Sequence, residues 1–189
     1  MKIERIRPEE IERRSFEIIT DLLGEQQPPD ETAHIVKRVI HTTADLEYAE
    51  TLYFSENAAQ ILSQALAEGA HIVTDTQMAL SGINKKTLAA FGGQVHCFMA
   101  DEDVARQARE RGVTRACVSM EKAATLSVPL IFAIGNAPTA LLRLDELVRE
   151  GTVRPRLIIG VPVGFVNVVQ SKERIMNAGV PCIVAKGRK

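Results

Sequence analysis

The chain has 189 residues, and its 23 lysines and arginines nearly balance its 24 aspartates and glutamates, which leaves a formal net charge of −1. This length suits one domain with a hydrophobic core of ordinary size. Because no basic surplus is left to neutralise phosphates, the composition argues against a nucleic-acid partner. Six Phe, two Tyr and no Trp are also too few aromatic residues for stacking single-stranded bases. A local basic pocket for an acidic small molecule remains compatible with this balance.

The sequence contains no segment typical of a membrane span or a secretory signal. The longest apolar run, residues 157–169, is too short and too rich in glycine and proline to cross a bilayer. Residues 1–14 alternate charges without the apolar core of a signal peptide. The three cysteines, Cys97, Cys117 and Cys182, are widely spaced and odd in number, which favours free thiols over a disulfide framework. We therefore expect a cytoplasmic protein with no membrane partner.

The N-terminal part of the sequence predicts helices. Apolar residues recur roughly at helical spacing between positions 11 and 23. Residues 31–40 predict a short helix that leads into His41. Ser55 is expected to cap a further helix, which ends at Gly69 because glycine readily adopts the conformation that terminates helices.

After residue 70, short apolar runs rich in β-branched residues predict strands, and helical segments separate them. Strands that alternate with helices and are apolar along their length indicate a mostly parallel sheet covered on both faces. The sequence thus predicts an α/β fold, as a single domain over residues 1–189, with about five central strands, helices on both faces, and an N-terminal helical segment at about 8–50 leading into it. The predicted strands are residues 71–75, 94–99, 129–135, 157–162 and 181–186, and the predicted helices are 84–91, 101–111, 115–126, 138–150 and 168–178.

Three predicted strand ends carry residues suited to ligand binding. In open parallel sheets, ligands bind beyond the carboxyl ends of the strands, where loops lead into helix N-termini. Gly135 and Asn136 precede a predicted helix, whose first N–H groups suit an anion. Gly164 and Asp75 follow two other strands. Ordinary loop and capping roles remain the alternative for each of these residues.

The stretch VIHTTAD, residues 39–45, contains the strongest candidate for acid–base chemistry. A histidine side chain titrates near pH 6.5, about the pH of the cell, which suits proton transfer. Beside His41, Thr42 and Thr43 supply hydroxyls, Arg38 supplies a cation for an acidic substrate, and Asp45 is placed to orient the imidazole. On these grounds alone, a buried structural histidine remains an equal alternative.

No established nucleotide, hydrolase or metal motif accompanies His41. The patterns GxGxxG, Walker A, GxSxG and HExxH are all missing from the sequence. His34 and His41 lie two helical turns apart, but no nearby cysteine or carboxylate completes a ligand set. His96 and Cys97 are adjacent in a predicted strand, so their side chains point to opposite faces. His71 opens a strand and is expected to be structural. We therefore expect no metal site.

Eight stretches occur together in an order that is highly specific. They are RRSFEII (13–19), VIHTTAD (39–45), VTDTQMALSGI (73–83), TRACVSM (114–120), AIGNAPTALLRL (133–144), IIGVPVGFV (158–166), SKE (171–173) and KGRK (186–189). Through these stretches, nearly the whole chain resembles the precorrin-8X methylmutases, a family that includes the cobalt-precorrin-8 methylmutases of cobalamin biosynthesis.

The resemblance implies an isomerase that protonates a corrin precursor and moves a methyl group from C11 to C12, giving hydrogenobyrinate or cob(II)yrinate. It also implies a homodimeric α/β protein without a dissociable cofactor, in which His41 is the acid–base residue. The residues that we expect to contact the corrinoid substrate are Ser15, Arg38, Thr42, Thr43, Gly135, Asn136 and Gly164. Two alternatives remain, a corrinoid-binding or delivery protein without catalysis and an enzyme that acts on another polycarboxylate.

Overall fold

The computed structural model describes residues 5–189, and the chain divides into two compact units, one ending at Leu52 and one running from Tyr53 to Lys189. The first unit contains the helices α1 (Pro8–Leu23), α2 (Asp30–Thr43) and α3 (Tyr48–Thr51). The assignment of all 189 residues to one domain stays a prediction.

In the first unit, α1 and α2 pack against each other. The proline at the start of α1 occupies a first-turn position, where its missing N–H is not needed by the helix. The buried residues Val36 and Ile40 lie one turn apart on a single face of α2, as an amphipathic helix requires. Ala44 ends α2 in a left-handed conformation with φ of 55°, and its N–H bonds to the carbonyl of Ile40. Lys37 Nζ donates to Thr20 Oγ1 over 2.9 Å and joins α2 to α1.

Within residues 5–189 the sheet has six strands in the order β1-β6-β5-β4-β2-β3. β2 is parallel to β3 and β4, β4 is parallel to β5, and β5 is parallel to β6. The strands are β1 (Leu52–Phe54), β2 (His71–Thr74), β3 (Val95–His96), β4 (Leu130–Ile134), β5 (Leu157–Gly160) and β6 (Cys182–Ala185). The helices of the second unit are α4 (Ala58–Ala67), α5 (Gln77–Gly82), α6 (Lys85–Ala90), α7 (Glu102–Arg111), α8 (Arg115–Ala123), α9 (Pro138–Arg149) and α10 (Val168–Met176).

The core of the second unit lies where the central strands meet α8, α9 and α10. Phe132 and Ile158 pair in register on β4 and β5, and both belong to one buried cluster with residues of these three helices. The alternate positions Ile131 and Leu157 are buried as well. Since successive strand residues point to opposite faces, both faces of these strands are covered. The predicted α/β fold class is therefore confirmed.

Several details differ from the sequence-based expectation. The edge strand β1 was not predicted, because three residues are too few to show a periodic pattern. The short helices α3 and α5 were missed for the same reason. The predicted cap at Ser55 was wrong, since its N–H and Oγ bond to the backbone of Cys182 and α4 begins after Asn57. No helix within the described residues is both long and apolar enough to cross a membrane.

Lys172 on α10 is a buried cation that holds the last residues of the described chain. Its side chain is 1% exposed, and Nζ donates to the carbonyl oxygens of Gly187 at 3.1 Å and Lys189 at 2.6 Å. Burial lowers the pKa of the Lys172 ammonium to about 8 from its ordinary value of 10.5. At a pH between these two pKa values, the unfolded chain binds more protons at this position than the folded chain does. The free energy of unfolding therefore increases as pH rises.

We predict that the stability of the protein rises from pH 8 toward pH 10 and that Lys172→Met flattens this rise, because methionine has no proton to lose. Urea denaturation of the wild-type protein and the variant at several pH values measures the difference. Lys85→Met, at an exposed position on α6, is the matched control and should keep the wild-type slope. Equal slopes for wild type and Lys172→Met would contradict the assignment.

Candidate active site

His41 lies in the last turn of α2 and is held by two consecutive residues of α1. Ser15 Oγ lies 2.7 Å from His41 Nδ1. The ring of Phe16 meets the imidazole edge to face, with the centroids 5.7 Å apart and the planes at 81°. The packing of α1 against α2 brings Ser15 and Phe16 to His41. The imidazole is half-buried and fixed in orientation.

The bond to Ser15 engages one of the two ring nitrogens of His41. Within residues 5–189, Ser15 Oγ has no hydrogen-bond partner other than His41 Nδ1. The neutral ring can bond to this hydroxyl in either tautomer: Nδ1–H donates to Ser15 Oγ, or the hydroxyl donates to Nδ1 when the ring proton is on Nε2. When the ring is charged, Nδ1–H donates to the same hydroxyl. A serine can serve both states because its hydroxyl is both a donor and an acceptor, so Nε2 is the atom available for proton exchange.

Arg38 lies one turn before His41 and binds a carboxylate of the protein itself. Its Nη1 and Nη2 donate to the two carboxylate oxygens of Glu12, each over 2.7 Å. The Arg38 guanidinium lowers the pKa of the Glu12 carboxyl, and Glu12 in turn raises the pKa of Arg38. The Arg38 Cζ atom also lies 5.1 Å from the ring centroid of Phe16. The same aromatic ring thus contacts both the cation and the imidazole.

The hydroxyls next to His41 bond to the backbone of their own helix. Thr42 Oγ1 donates to the carbonyl of Arg38, and Thr43 Oγ1 donates to that of Val39. Each hydroxyl keeps lone pairs that can accept a bond. The Nδ1 partner of His41 is Ser15, and the expectation that Asp45 orients the imidazole stays a prediction. Asp45 follows the end of α2 and accepts a bond from the N–H of Glu47.

The strand ends predicted to bind a ligand meet around Asp75. This side chain follows β2 and is fully buried. Its carboxylate accepts N–H bonds from Gly135 at 2.9 Å, from Asn136 at 2.8 Å and from Ala137 at 2.6 Å, directly before α9. The backbone N–H groups of Gly135 and Asn136 are therefore engaged within the protein. The role of these two residues as substrate contacts stays a prediction, and the exposed side chain of Asn136 is the group that could serve it.

Gly164 lies in the loop after β5, and its N–H bonds to the carbonyl of Arg188 at 3.1 Å. Its φ of 142° lies in a region that residues with a side chain rarely adopt, so glycine suits this position. The neighbouring apolar side chains Phe165 and Val166 are 87% and 77% exposed. The Arg188 guanidinium lies 5.9 Å from the Phe165 ring centroid. Gly164 stays a predicted substrate contact.

Two further histidines join β2 to the neighbouring β3. His71 Nδ1 lies 2.8 Å from His96 Nε2, and the His96 ring stacks on Phe98. Burial and the nearby His71 lower the pKa of His96. Among residues 5–189, no group of three or more His, Cys, Asp or Glu side chains is placed to hold a metal ion.

A groove of about 910 Å³ runs along α1 and α2, and its lining includes Glu12 and Phe16 but not His41. Its carboxylates outnumber its lysine and arginine side chains, so a polycarboxylate would be repelled there. The charged residues that line it are Glu9, Glu12, Arg13, Glu17, Asp30 and Lys37.

The residues that the sequence singled out fall in both units of the fold. Ser15, Arg38, His41, Thr42 and Thr43 lie in the first unit, and Gly135, Asn136 and Gly164 lie in the second. The structure adds Glu12 and Phe16, which the sequence reasoning did not select. Positions 12, 15 and 16 share one helical face, as do positions 38 and 41, and this spacing was the available signal.

The fold and site together define an α/β protein with one oriented histidine and an adjacent arginine, an arrangement suited to proton transfer on an acidic molecule. The family model for precorrin-8X methylmutase matches residues 10–189. The chain belongs to the precorrin-8X methylmutase family, whose members are isomerases.

Relatives and a solved structure agree with this assignment. The chain is 44% identical to the cobalt-precorrin-8 methylmutase of Priestia megaterium, over 97% of this chain and 82% of that protein. It is also 44% identical to that of Salmonella typhimurium, over 96% and 88% of the two chains. A crystal structure of the precorrin-8X methylmutase from Thermus thermophilus superposes with a TM-score of 0.87 at 39% identity, over 96% of this chain and 87% of that one.

We predict that Ser15→Ala changes the balance between the two tautomers of neutral His41, because Nδ1 loses its hydrogen-bond partner. NMR of histidine labelled with ¹⁵N distinguishes the two tautomers by their ring-nitrogen shifts. Ser15→Thr keeps a hydroxyl and should restore the wild-type pattern, and the exposed His34 serves as an internal control. An unchanged His41 spectrum in Ser15→Ala would refute the role of Ser15.

Proposed function

We propose that this protein converts precorrin-8X or cobalt-precorrin-8 into hydrogenobyrinate or cob(II)yrinate by moving a methyl group from C11 to C12. The observation that carries the proposal is the bond between Ser15 and His41, which presents Nε2 as the proton-exchanging atom. Membership of a methylmutase family supports the reaction class. The substrates named for the relatives support a corrinoid ligand.

The reaction requires proton movement but no net change of atoms or electrons. The charged form of His41 donates the proton on Nε2 to the macrocycle and is left neutral, with its other proton on Nδ1. The positive charge now on the macrocycle lowers the barrier to migration of the methyl group. The bond from C11 to the methyl carbon breaks as the bond to C12 forms, within one molecule. A proton then leaves the macrocycle and returns to Nε2 of His41. Throughout, Nδ1–H donates to Ser15 Oγ, so the imidazole keeps its orientation.

Arg38 binds a peripheral carboxylate of the ring in this proposal. Its planar guanidinium fits a carboxylate with two parallel hydrogen bonds. Arg38 and His41 are three residues apart on α2, which places the bound carboxylate beside the imidazole. Thr42, Thr43, Gly135, Asn136 and Gly164 are proposed as further contacts to the ring and its side chains.

We predict that His41→Ala lowers turnover of precorrin-8X by roughly 100-fold or more, because general acid–base groups contribute about this much. The Kd for hydrogenobyrinate, measured by absorbance titration, should remain within a few-fold of the wild-type value. His34→Ala on the same helix is the matched control and should turn over normally.

Turnover by the His41→Ala variant at the wild-type rate would exclude the proposed acid–base role of His41. Binding without conversion by the wild-type protein would instead favour a corrinoid carrier. Parallel assays with the metal-free and cobalt forms show which substrate the protein prefers.

We infer that the protein is a homodimer located in the cytoplasm. The family resemblance implies the dimer, and an apolar stripe on α1 offers a surface for it. Ile11, Ile18 and Leu22 are 52%, 42% and 64% exposed, and their spacing places them near one face of the helix. The cysteines Cys97, Cys117 and Cys182 are free thiols, as is usual in a reducing compartment.

We predict that the wild-type protein sediments at twice the 20.7 kDa chain mass and that Leu22→Glu shifts it toward the monomer. A charge buried in an apolar interface without a partner is strongly unfavourable. Ala67→Glu, at an exposed position on α4, introduces the same charge and should leave the dimer intact. A monomeric wild-type protein would rule the dimer out, and a dimeric Leu22→Glu variant would move the interface elsewhere.

A further inference from the structure

The carboxylate site of Arg38 is already occupied in the free protein. Both Nη atoms of Arg38 bond to Glu12, each over 2.7 Å, in the two-point geometry that arginine offers to any carboxylate. Glu12 lies on α1 and Arg38 on α2, so this pair forms only when the two helices pack. A ligand carboxylate that uses the same two donors must therefore replace Glu12.

Arg38 is held in place by more than its ion pair. The guanidinium stacks over Phe16 with Cζ 5.1 Å from the ring centroid, and Phe16 also contacts His41 edge to face. This stacking does not involve Glu12, so we expect it to persist when Glu12 is displaced. We therefore expect Arg38 to remain an anion site next to the imidazole.

The ion pair is also easy to exchange. The side chains of Arg38 and Glu12 are 52% and 55% exposed, and ion pairs in water contribute little to stability. Glu12 lines the groove along α1 and α2, so its carboxylate can turn into solvent when it is displaced. Replacing one carboxylate with another leaves the charge at Arg38 unchanged.

We propose that Glu12 is an internal competitor that occupies Arg38 until a substrate carboxylate displaces it. This inference rests on the proposed function and deepens it, because it adds a binding step next to His41. Only a ligand with a carboxylate in reach of Arg38 gains from the exchange. Glu12 therefore weakens the binding of ligands that use Arg38 and leaves unchanged the binding of ligands that do not reach it.

The test is Glu12→Gln, which keeps the size of the side chain and removes its charge. We expect the Kd for hydrogenobyrinate and the KM for precorrin-8X to fall roughly two- to fivefold, the range of an exposed ion pair, with a smaller change in kcat. An absorbance titration and a turnover assay with wild type and variant measure these quantities.

Two controls separate competition from a general charge effect. Glu17→Gln removes a charge from the same helix, where Glu17 pairs with Arg13, and should leave KM unchanged. In an Arg38→Gln background, Glu12→Gln should have no effect on binding, because the contested site is gone. An effect of equal size in both backgrounds would contradict competition at Arg38.

Weaker or unchanged binding by Glu12→Gln would overturn the inference while the proposed function stands, since Glu12 would then orient Arg38 or do nothing. If the wild-type protein neither binds hydrogenobyrinate nor converts either form of the precursor, the proposed function fails and this inference fails with it.

Discussion

The second unit depends on the hydrogen bonds of the Asp75 carboxylate, which tie the end of β2 to the start of α9. This carboxylate is fully buried after β2 and accepts three N–H bonds from residues 135–137, at the end of the adjacent strand β4. The strand order reverses between these two strands, since β3 continues on one side and β5 and β6 on the other. Open α/β sheets usually bind ligands at this point. Here a side chain of the protein takes the position of the anion and closes the start of α9.

In the first unit, contacts between two helices fix the orientation of His41. Two consecutive residues of α1 hold His41, one through a hydrogen bond and one through its ring. The bond from Ser15 leaves Nε2 for proton exchange, and the ring of Phe16 supports both the imidazole and Arg38. A reaction that only moves a methyl group within its substrate needs a proton, an orientation and a binding site. In our proposal, four side chains on two helices meet the first two requirements and contribute to the third.

The sequence predicted the fold class because parallel strands buried on both faces leave continuous apolar runs. It also selected His41 and Ser15, but it did not predict the bond between them. These residues are 26 positions apart, and the contact depends on how two helices pack, which periodicity does not specify. Asp75 shows the same limit. The N–H groups before α9 do recognise a carboxylate, as the pattern suggested, but that carboxylate lies 60 or more positions away in the same chain.

The protein thus contains two carboxylates bound by donors suited to an acidic ligand, and their surroundings give them opposite properties. Asp75 has no exposed surface and accepts three backbone bonds, so breaking them would leave a buried carboxylate unpaired, at a high cost in free energy. Glu12 has a side chain that is 55% exposed and a single arginine partner, so water replaces its bonds easily. Burial therefore determines which carboxylate is part of the architecture and which one can give way to a substrate.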